Sequence, residues 1–455
     1  MPQPKRILII GAGPTGLGAA SRLHELDYPN WTLYERHDYA GGHASSLVDA
    51  QGFTWDEGGH VIFSHYPYFD RLIDSALKNE FHERIRESWI FTRGDWIPYP
   101  FQNNLRYLPT NIQVDCLVGA AKVAGRSEAL EAKDFKSWVL ATFGDGIAKH
   151  FMFPYNRKVW TTPPEQMAKS WIAERVAVID FKRLLENVLY ARDDVGWGPN
   201  SKFKFPLRGG TGEIYRSIAR TLGDNVQLRK DLVEVDTDRR TVSFSDGSGD
   251  HFDVLISTAP LDLLVMMLTP RDSRLLDAAQ KLIHNNLLVL GIGLERKIET
   301  NKCWVYFVDE EMPCYRCTFF SQYSPFNVPN GDVERYSSLM CELSYRVDET
   351  LDVNSLMERT ISGLIGAGIL TEMDRTKVIS RYSREIPYSY PIPTLERDAA
   401  LEVIQPLVLQ RGIYSRGRFG AWKYEVGNMD HSVQMGLEAV DRILFQREET
   451  VVLGK

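Results

Sequence analysis

Residues 5–17 read KRILIIGAGPTGL, an aliphatic run followed directly by closely spaced glycines. The four aliphatic residues from Ile7 to Ile10 are typical of a parallel β-strand that is covered on both faces. Three glycines follow with the spacing G-x-G-x-x-G, at Gly11, Gly13 and Gly16, and a helical pattern comes next. In such a turn the first glycine allows the sharp bend, the second lets a pyrophosphate approach the backbone, and the third lets the helix pack closely on the strand. Because glycine-rich turns follow many strands, this pattern needs support from its surroundings.

Two features further along the chain provide that support. Residues 31–35 read WTLYE, a second strand whose final Glu35 lies at the distance from the glycines expected for an acid that binds a ribose hydroxyl. Arg36 follows directly, and then the pair Gly41-Gly42 offers a second place where backbone can lie against a cofactor. Three elements in this order predict an FAD- or NAD-binding Rossmann unit at the N-terminus.

Length and charge limit the remaining possibilities. A chain of 455 residues is too long for one simple core, so two or three domains are expected. The formal net charge of −7 disfavours a general binder of nucleic acids or anionic membranes. No apolar run approaches the length of a transmembrane helix, and residues 1–4 lead into the first strand without room for a signal peptide. The expected location is therefore cytoplasmic.

The cysteines indicate free thiols in a reducing compartment. Their number is odd and they are scattered, at Cys116, Cys303, Cys314, Cys317 and Cys341. Cys314 and Cys317 have C-x-x-C spacing, but no second pair and no nearby histidine completes a metal site. We therefore interpret these two as packing residues and expect no metal.

The periodicity along the chain predicts an α/β fold in which a Rossmann-type FAD-binding domain is interleaved with a helical domain and an antiparallel β-sheet domain. From about residue 111 to 195 the apolar spacing is helical, whereas residues 226–256 alternate with period two and return to the nucleotide-binding sheet. The predicted ranges are 1–80, 202–285 and 390–455 for the FAD-binding domain, 106–195 for the helical domain, and 81–105, 196–201 and 286–389 for the β-sheet substrate domain.

Further patterns concern individual elements in the second half of the chain. They predict a strand over residues 315–323, helical segments near 356–364 and 374–379, and a final helix over 433–445. Asp430 or Ser432 is expected to cap the final helix, because their side chains can accept a hydrogen bond from its first turn.

Three stretches have unusual chemistry. Residues 58–60 read GGH, and their position after the cofactor-binding segments suggests that His60 lies near a redox ring. Residues 96–104 read WIPYPFQNN, whose rings and amide suit a planar base, although this segment alone favours a proline-bounded core strand. A third stretch is basic and aromatic, and in an acidic protein it forms a candidate anion site, with Arg416, Arg418 and Lys423.

Together these stretches resemble the UDP-galactopyranose mutases, in particular the fungal-type branch of that flavoenzyme family. The resemblance runs almost from end to end. It is most specific in three motifs, which are GGHVIFSH at 58–65, PYPFQNN at 98–104 and RFG-x-W-x-YEVGN at 418–428.

This resemblance implies an FAD-dependent isomerase (an intramolecular transferase) of galactofuranose biosynthesis. Such an enzyme interconverts UDP-galactopyranose and UDP-galactofuranose without net redox change. The flavin must be reduced, by NAD(P)H or another reductant, and its N5 acts as the nucleophile at the anomeric carbon. The implied partner is a UDP-sugar substrate, with no nucleic acid and no membrane, while formation of a homo-oligomer is left open.

The resemblance also assigns roles to individual residues. Cofactor contacts are assigned to Gly11, Gly13, Gly16, Glu35, Arg36, Gly42, Gly59, His60, Val235, Gly427, Asn428 and Gln434. Substrate contacts are assigned to Tyr99, Phe101, Gln102, Asn156, Trp160, Arg175, Asn200, Tyr306, Arg316, Tyr390, Arg418, Tyr424 and Asn428. Catalytic roles are assigned to His60, Arg175, Asn200, Arg316 and Arg418.

The resemblance assigns different residues to the uracil, the diphosphate and the sugar of the substrate. Tyr99, Phe101 and Gln102 would hold the uracil, with two further side chains beside it, those of Asn156 and Trp160. Arg316 and Arg418 would neutralise the diphosphate, helped by three tyrosines, which are Tyr306, Tyr390 and Tyr424. Arg175 and Asn200 would lie near the sugar on flaps that close over it, and His60 would sit by the flavin N5.

Three departures from the family pattern leave the sugar less well defined than the nucleotide. His43 stands where the fungal enzymes carry leucine, Cys314 replaces an aromatic residue, and the loop after Asn327 is short. The alternatives are therefore a mutase acting on another nucleotide sugar, a flavin oxidase of the amine-oxidase type, and a noncatalytic nucleotide-sugar-binding flavoprotein that works as a sensor.

Overall fold

The fold was analysed in a computed structural model that describes residues 4–125, 128–172, 175–178, 180–195 and 201–453. The helices in these ranges are α1 (Pro14–Glu25), α2 (Pro67–Leu77), α3 (Thr110–Val123), α4 (Glu128–Glu131), α5 (Phe135–Ile147), α6 (Phe153–Trp160), α7 (Phe181–Leu189), α8 (Gly212–Leu222), α9 (Leu261–Met267), α10 (Ser273–Ala279), α11 (Val353–Gly366), α12 (Arg397–Gln410) and α13 (Met429–Phe445). None of the helices described is both long and apolar enough to span a membrane.

The strands are β1 (Ile7–Ile10), β2 (Trp31–Tyr34), β3 (Ser46–Val48), β4 (Thr54–Asp56), β5 (Phe81–Ile85), β6 (Ser88–Thr92), β7 (Asp95–Pro98), β8 (Lys202–Pro206), β9 (Val226–Gln227), β10 (Leu232–Asp236), β11 (Thr241–Phe244), β12 (Gly249–His251), β13 (Val254–Ser257), β14 (Leu268–Thr269), β15 (His284–Leu294), β16 (Trp304–Phe307), β17 (Arg316–Phe319), β18 (Ser337–Tyr345), β19 (Val378–Pro391) and β20 (Ile413–Ser415).

A five-stranded parallel sheet forms around β1, in the order β20-β13-β1-β2-β9. Ile7 and Ile9 of β1 contribute to the core on one face of this sheet, and Leu8 and Ile10 to the core on the other. The unbroken aliphatic run is therefore explained by burial on both faces, and the predicted strand–glycine turn–helix unit is confirmed.

The largest sheet has seven strands in the order β19-β15-β18-β17-β16-β6-β7. Its neighbours pair in antiparallel fashion, except that β16 and β6 run parallel. Along β15 the residues alternate between two cores, with Leu287 and Val289 on the helical side and Leu288 and Leu290 on the α11 side. The parallel sheet, the large sheet and the helices confirm the predicted fold class, while its division into domains at the stated boundaries stays a prediction.

Two predicted elements end differently from the expectation. The strand predicted over 315–323 stops at Phe319, because residues 320–322 turn into a 3₁₀ helix. The helical segment predicted over 374–379 is a 3₁₀ helix over Glu372–Lys377, and the chain then enters β19, which pairs with β15 along nearly its whole length. Pairing with a long central strand here overrides the local helical pattern.

The final helix also begins earlier than predicted. It starts at Met429 with Asn428 as the N-cap residue, and neither Asp430 nor Ser432 caps it. The Asp430 carboxylate instead accepts hydrogen bonds from the backbone N–H and the ring of His65, so a tertiary partner replaces the local one.

Close packing of α13 on α1 depends on glycine and gives a testable prediction. A Cβ atom at Gly436 would overlap the carbonyl oxygen of Thr15 and lie 2.6 Å from the backbone nitrogen of Ala19. We expect Gly436→Ala to lower the free energy of unfolding by about 1–3 kcal/mol, as overpacking does in other cores, measured by urea denaturation. Gly366→Ala, at the end of α11 where a Cβ meets open space, should be neutral or stabilising. Equal effects of the two substitutions would contradict this packing.

Candidate active site

One cavity of about 670 Å³ connects the parallel sheet to the large sheet. Its walls come from the loops that follow β1, β2 and β13, from the turn at residues 58–63, from the large sheet and from residues 417–432. The loops at the carboxyl ends of parallel strands are where ligands bind in open α/β sheets. The cavity therefore has a dinucleotide end and a second compartment against the large sheet.

The dinucleotide end is formed by backbone that has no room for side chains. Gly11 has φ +97°, and a Cβ at this position would overlap the Thr258 hydroxyl. Gly13 is the N-cap of α1 and no side chain caps this helix, so N–H groups of its first turn remain available to an anion. A Cβ at Gly42 would lie 3.2 Å from the Gly13 Cα, which brings the two predicted glycine segments together.

Glu35 lies between these segments and is buried. Its carboxylate accepts hydrogen bonds from the Ala12 N–H at 2.7 Å and the His37 N–H at 2.9 Å. These bonds hold the acid at the end of β2, beside the glycine turn, which is the place of a ribose-binding carboxylate in a dinucleotide site.

Two imidazoles line the middle of the cavity. Burial lowers the pKa of His60 to about 4 and the pKa of His43 to about 3, with the nearby guanidinium groups acting in the same direction. Both rings are therefore neutral at pH 7. The Nδ1 atom of His60 is buried without a hydrogen-bond partner among the described residues, and such an atom is costly unless a ligand satisfies it.

Arg316 is held by a buried ion pair with Glu342. Its Nε and one terminal nitrogen donate to the two carboxylate oxygens, the latter at 2.7 Å, and the same nitrogen donates to the Gly59 carbonyl at 3.3 Å. Glu342 also accepts from the Gly59 N–H at 3.1 Å and from the Tyr315 hydroxyl at 3.3 Å. Burial alone would raise the pKa of Glu342, but Arg316 outweighs it and lowers that pKa. The pair therefore fixes Arg316 to the turn that carries His60.

Arg418 is bound differently. Its Nε donates to the Ser389 carbonyl at 3.0 Å and one terminal nitrogen donates to the Gly427 carbonyl at 3.1 Å. The guanidinium carbon lies 4.9 Å from the ring centre of Tyr390 and 5.7 Å from that of Tyr424. None of the described carboxylates lies within ion-pair distance, and burial lowers the pKa of this guanidinium. Arg418 is thus a half-buried cation on the cavity wall whose charge an anionic ligand would balance.

The second compartment is lined by further aromatic and basic side chains. Tyr99 and Tyr306 have ring centres 5.1 Å apart. Arg175 donates to the Asn428 side chain at 2.9 Å and to the Glu425 carbonyl at 2.6 Å, and it lies 5.4 Å from the Tyr424 ring centre. Such a set suits a ligand that carries both negative charge and planar or polar groups.

Most of the residues assigned from the sequence line this cavity. They are Gly11, Gly13, Glu35, Arg36, Gly42, Gly59, His60, Tyr99, Arg175, Tyr306, Arg316, Tyr390, Arg418, Tyr424, Gly427 and Asn428. Gly16 lies behind the wall, where a Cβ would overlap the Gly11 carbonyl, in agreement with a packing role. Asn200 lies outside the described residues.

Four residues assigned to the uracil do not line the cavity. Phe101 is fully buried and stacks on Phe151 at 4.7 Å between ring centres, as the core reading of this segment predicts. The Gln102 amide donates to the Ala177 carbonyl. Asn156 and Trp160 bond to each other, with the indole nitrogen 3.1 Å from the Asn156 oxygen.

Other assigned residues lie elsewhere for clear reasons. Val235 is buried in the sheet, paired with Val242 and Leu268, while Leu232 takes the place on the cavity wall. Gln434 points along its own helix and donates to Glu438 at 3.2 Å.

The prediction that Arg416, Arg418 and Lys423 form one anion site is wrong. Of its members only Arg418 lines the cavity. Arg416 is buried in an ion pair with Glu449, and Lys423 donates to the Val452 carbonyl.

Sequence reasoning missed several residues of the wall. Glu342 is the most important, and its signal was an acid inside the otherwise apolar strand β18. Arg86 lines the cavity with its guanidinium carbon 5.1 Å from the Trp304 ring centre, but nothing in its local sequence distinguishes it. The Tyr39–Arg384 pair, joined at 3.2 Å, is brought together only by the fold.

The fold and this cavity define a dinucleotide-binding protein with a second, cationic and aromatic ligand compartment. The model of the family "Flavin containing amine oxidoreductase" matches residues 14–444. A crystal structure of reduced UDP-galactopyranose mutase shares 43% identity, with 99% of this chain and 96% of that chain covered and a TM-score of 0.94. The chain belongs to the flavin containing amine oxidoreductases and, within that family, to the UDP-galactopyranose mutases.

More distant proteins share the fold. A putative protoporphyrinogen oxidase from Exiguobacterium sp. 255-15 has 16% identity and a TM-score of 0.72, over 98% of this chain and 100% of that chain. The 15-cis-phytoene desaturase of Solanum lycopersicum is 22% identical over 471 residues, which cover 95% of this chain and 76% of that protein. These matches agree with a flavoprotein fold, and the family resemblance predicted from the sequence is confirmed.

The dinucleotide end fits FAD, the cofactor of this family. The uncapped start of α1 and the glycines at 11, 13 and 42 leave backbone open to a pyrophosphate. Glu35 stands where a ribose hydroxyl needs an acceptor, and the His60 Nδ1 atom lacks a partner in the described protein. Together these features fit a bound dinucleotide.

Proposed function

We propose that this protein is an FAD-dependent UDP-galactopyranose mutase, which interconverts UDP-galactopyranose and UDP-galactofuranose. The observation that carries the proposal is Arg418, a half-buried guanidinium that bonds to carbonyl groups, has no carboxylate partner among the described residues, and is faced by two tyrosine rings. A diphosphate at this point would balance its charge. The membership of the chain in the mutase family supports the same ligand.

In this reaction the reduced flavin supplies the nucleophile at the anomeric carbon. The protein's part is to bind UDP, to hold the sugar, and to stabilise the negative charge that grows on the diphosphate as its bond to the sugar breaks. Arg418 is suited to that task because a preorganised cation in a buried site acts most strongly where charge develops. Arg316 is held by Glu342 against Gly59. Its role is therefore to bind the diphosphate while it holds the turn at 58–60, which carries His60, at a constant distance from it.

We propose that the uracil lies beside Tyr99, which lines the cavity, and that it reaches Gln102, which does not line the cavity in this structure. The amide oxygen of Gln102 is buried without a partner among the described residues, and the edge of uracil offers the N–H donor that such an oxygen needs. The Gln102 nitrogen is bonded to the Ala177 carbonyl. A uracil carbonyl that accepts from the same nitrogen would replace the Ala177 carbonyl, which lies two residues after Arg175, and nucleotide binding would then be coupled to the position of Arg175.

This placement predicts a loss of UDP affinity on removal of the amide. Gln102→Ala should raise the Kd for UDP about tenfold, since one or two hydrogen bonds of about 1 kcal/mol each are lost, measured by titration calorimetry. Gln113→Ala is the matched control, because that amide donates only to the carbonyls of Arg106 and Leu108. UDP binding as tight in Gln102→Ala as in the unchanged protein would place the uracil elsewhere.

Several companions of this function rest on the family resemblance. We propose NAD(P)H or another reductant as the electron source, a cytoplasmic location, and a sugar pocket that includes Arg175 and Asn200. A homo-oligomer is compatible with the proposal. We also propose the three interleaved domains with the boundaries that the sequence predicts.

The direct test is incubation of the FAD-loaded protein with UDP-galactofuranose, with and without dithionite, followed by chromatography. We expect UDP-galactopyranose to appear only in the reduced sample. No conversion by the reduced protein would contradict the proposed substrate, and turnover that consumes oxygen would instead indicate an oxidase.

A second candidate is a mutase that acts on another nucleotide sugar. It is favoured by His43, which lines the cavity at a position where leucine was expected from the family pattern. Parallel assays with other UDP-hexoses would distinguish the two, because a larger kcat/KM for one of them would make it the preferred substrate.

A further inference from the structure

A cluster of two histidines and one aspartate joins the loop before α2 to the start of α13. The Nδ1 atom of His65 lies 2.7 Å from one oxygen of Asp430, and the Nδ1 atom of His431 lies 3.0 Å from the other. All three candidate ligand atoms lie within 4.8 Å of one another. Among the His, Cys, Asp and Glu groups of the described residues, this is the cluster that could hold a metal ion.

We propose that His65, Asp430 and His431 bind a divalent transition-metal ion of the zinc class. Two imidazole nitrogens and one carboxylate oxygen form a donor set that Zn²⁺ and its neighbours prefer over Mg²⁺ or Ca²⁺. With metal–ligand distances of about 2.1 Å, ligand atoms lie about 3.0–3.4 Å apart around the ion. The two observed nitrogen–oxygen separations are already close to that range.

The exposure of the three side chains also suits an ion that arrives from solvent. The side chain of Asp430 is only 1% exposed, whereas that of His431 is 15% and that of His65 is 42% exposed. Two ligands, Asp430 and His431, are fixed on the helix. His65 lies on a loop, so its ring can move closer to the ring of His431 when an ion binds between them. The exposed side leaves room for a water molecule as the fourth ligand, the arrangement of an open zinc site.

The electrostatics of the cluster are also favourable. The buried carboxylate of Asp430 lies within hydrogen-bond distance of both histidine rings, so the cluster brings an acidic group together with two imidazoles. A carboxylate supplies negative charge to a bound cation. An ion here replaces the protons that now link the carboxylate to the two rings, so the bonds that tie the loop to α13 become coordination bonds.

A pair elsewhere in the chain provides a matched comparison. His251 lies beside Asp250, with its Nδ1 atom 3.4 Å from the carboxylate, but within the part of the chain that the structure describes no second histidine completes that pair. A single imidazole with one carboxylate is a weaker chelate, because each missing ligand removes part of the binding energy. The proposed site therefore predicts binding at the His65 cluster and none of comparable strength at His251.

The test uses the FAD-loaded protein, with any purification tag removed, in the oxidised state and without nucleotide sugar. Titration calorimetry with Zn²⁺ should give one ion per chain. His65→Ala should weaken that binding at least tenfold, as even the loss of a supporting residue around a metal does, while His251→Ala should leave it unchanged. Because His65 is largely exposed, His65→Ala is expected to fold, and thermal denaturation without metal checks this.

Co²⁺ gives a second readout, since its visible absorption reports nitrogen and oxygen ligands directly. A visible band that appears in the unchanged protein and is lost in both His65→Ala and His431→Ala supports the site. Zn²⁺ binding that is the same in His65→Ala as in the unchanged protein, or no binding at all, would overturn the proposal and leave the cluster as a hydrogen-bonded clip. No sugar turnover is measured, so the outcome is independent of the proposed mutase activity.

Discussion

Arg418→Ala is expected to lower kcat/KM for UDP-galactofuranose by about 100-fold, measured with reduced flavin. Hydrogen bonds from a charged group are worth about 1.5–3 kcal/mol, which corresponds to roughly 10–150-fold. The larger part of that range applies because Arg418 has no carboxylate partner among the described residues, so its whole charge is available to the diphosphate. Since negative charge grows as UDP leaves, kcat should fall as well as affinity.

Lys423→Ala is the matched control for this experiment. It removes a cation from the same basic stretch, but Lys423 donates to the Val452 carbonyl and does not line the cavity. Its kcat/KM should remain within a factor of about two to three, because this lysine bonds to a carbonyl outside the cavity and does not face the diphosphate. If Arg418→Ala retained full activity, or if both substitutions had the same effect, the diphosphate would have to bind elsewhere.

Glu342→Ala is expected to lower the free energy of unfolding by about 3–5 kcal/mol. The substitution leaves the Arg316 guanidinium, whose side chain is only 19% exposed, without its counter-charge, and the loss of one partner of a largely buried ion pair has that cost. It also removes the acceptor of the Gly59 N–H and of the Tyr315 hydroxyl. Urea denaturation of the FAD-loaded protein measures the effect, and a change in midpoint without a change in slope would identify it as a loss of stability.

A surface ion pair offers the control for Glu342. Glu358 pairs with Arg375 and Arg381, but its side chain is 52% exposed. Glu358→Ala should change the free energy of unfolding by no more than about 1 kcal/mol, since water screens exposed pairs. Equal effects of Glu342→Ala and Glu358→Ala would show that the Arg316 pair does not stabilise the site.

The dinucleotide half of the protein was predictable in detail. The run from Ile7 to Ile10, the glycines after it and Glu35 lie close together in the chain, and local steric rules connect each of them to one conformation. Burial of alternate residues on two faces then explains why the strand is aliphatic throughout. The fold class followed from the same kind of periodic pattern.

The second compartment was harder to predict because its residues come from distant elements. Gln102 was assigned to uracil by resemblance, yet its amide is bound to Ala177, a contact that joins residues 75 positions apart. Similarly, Arg416 and Lys423 share the basic stretch of Arg418, but tertiary partners turn them away from the cavity. The type of residue at each position did not reveal which partners its side chain contacts.

The parallel strand, the glycine turn, the acid at the end of β2 and the family motifs can be read from the sequence, because each is encoded by neighbouring residues under local steric and periodic constraints. By contrast, the pairing of Arg316 with Glu342, and the lack of such a partner for Arg418 among the described residues, depend on the folded chain. The folded chain also decides that Asp430 meets His65 instead of capping its own helix. The physical reason is that these contacts join side chains on different elements, 26 positions apart for Arg316 and Glu342 and 365 for His65 and Asp430, and their approach is set by packing of the whole chain.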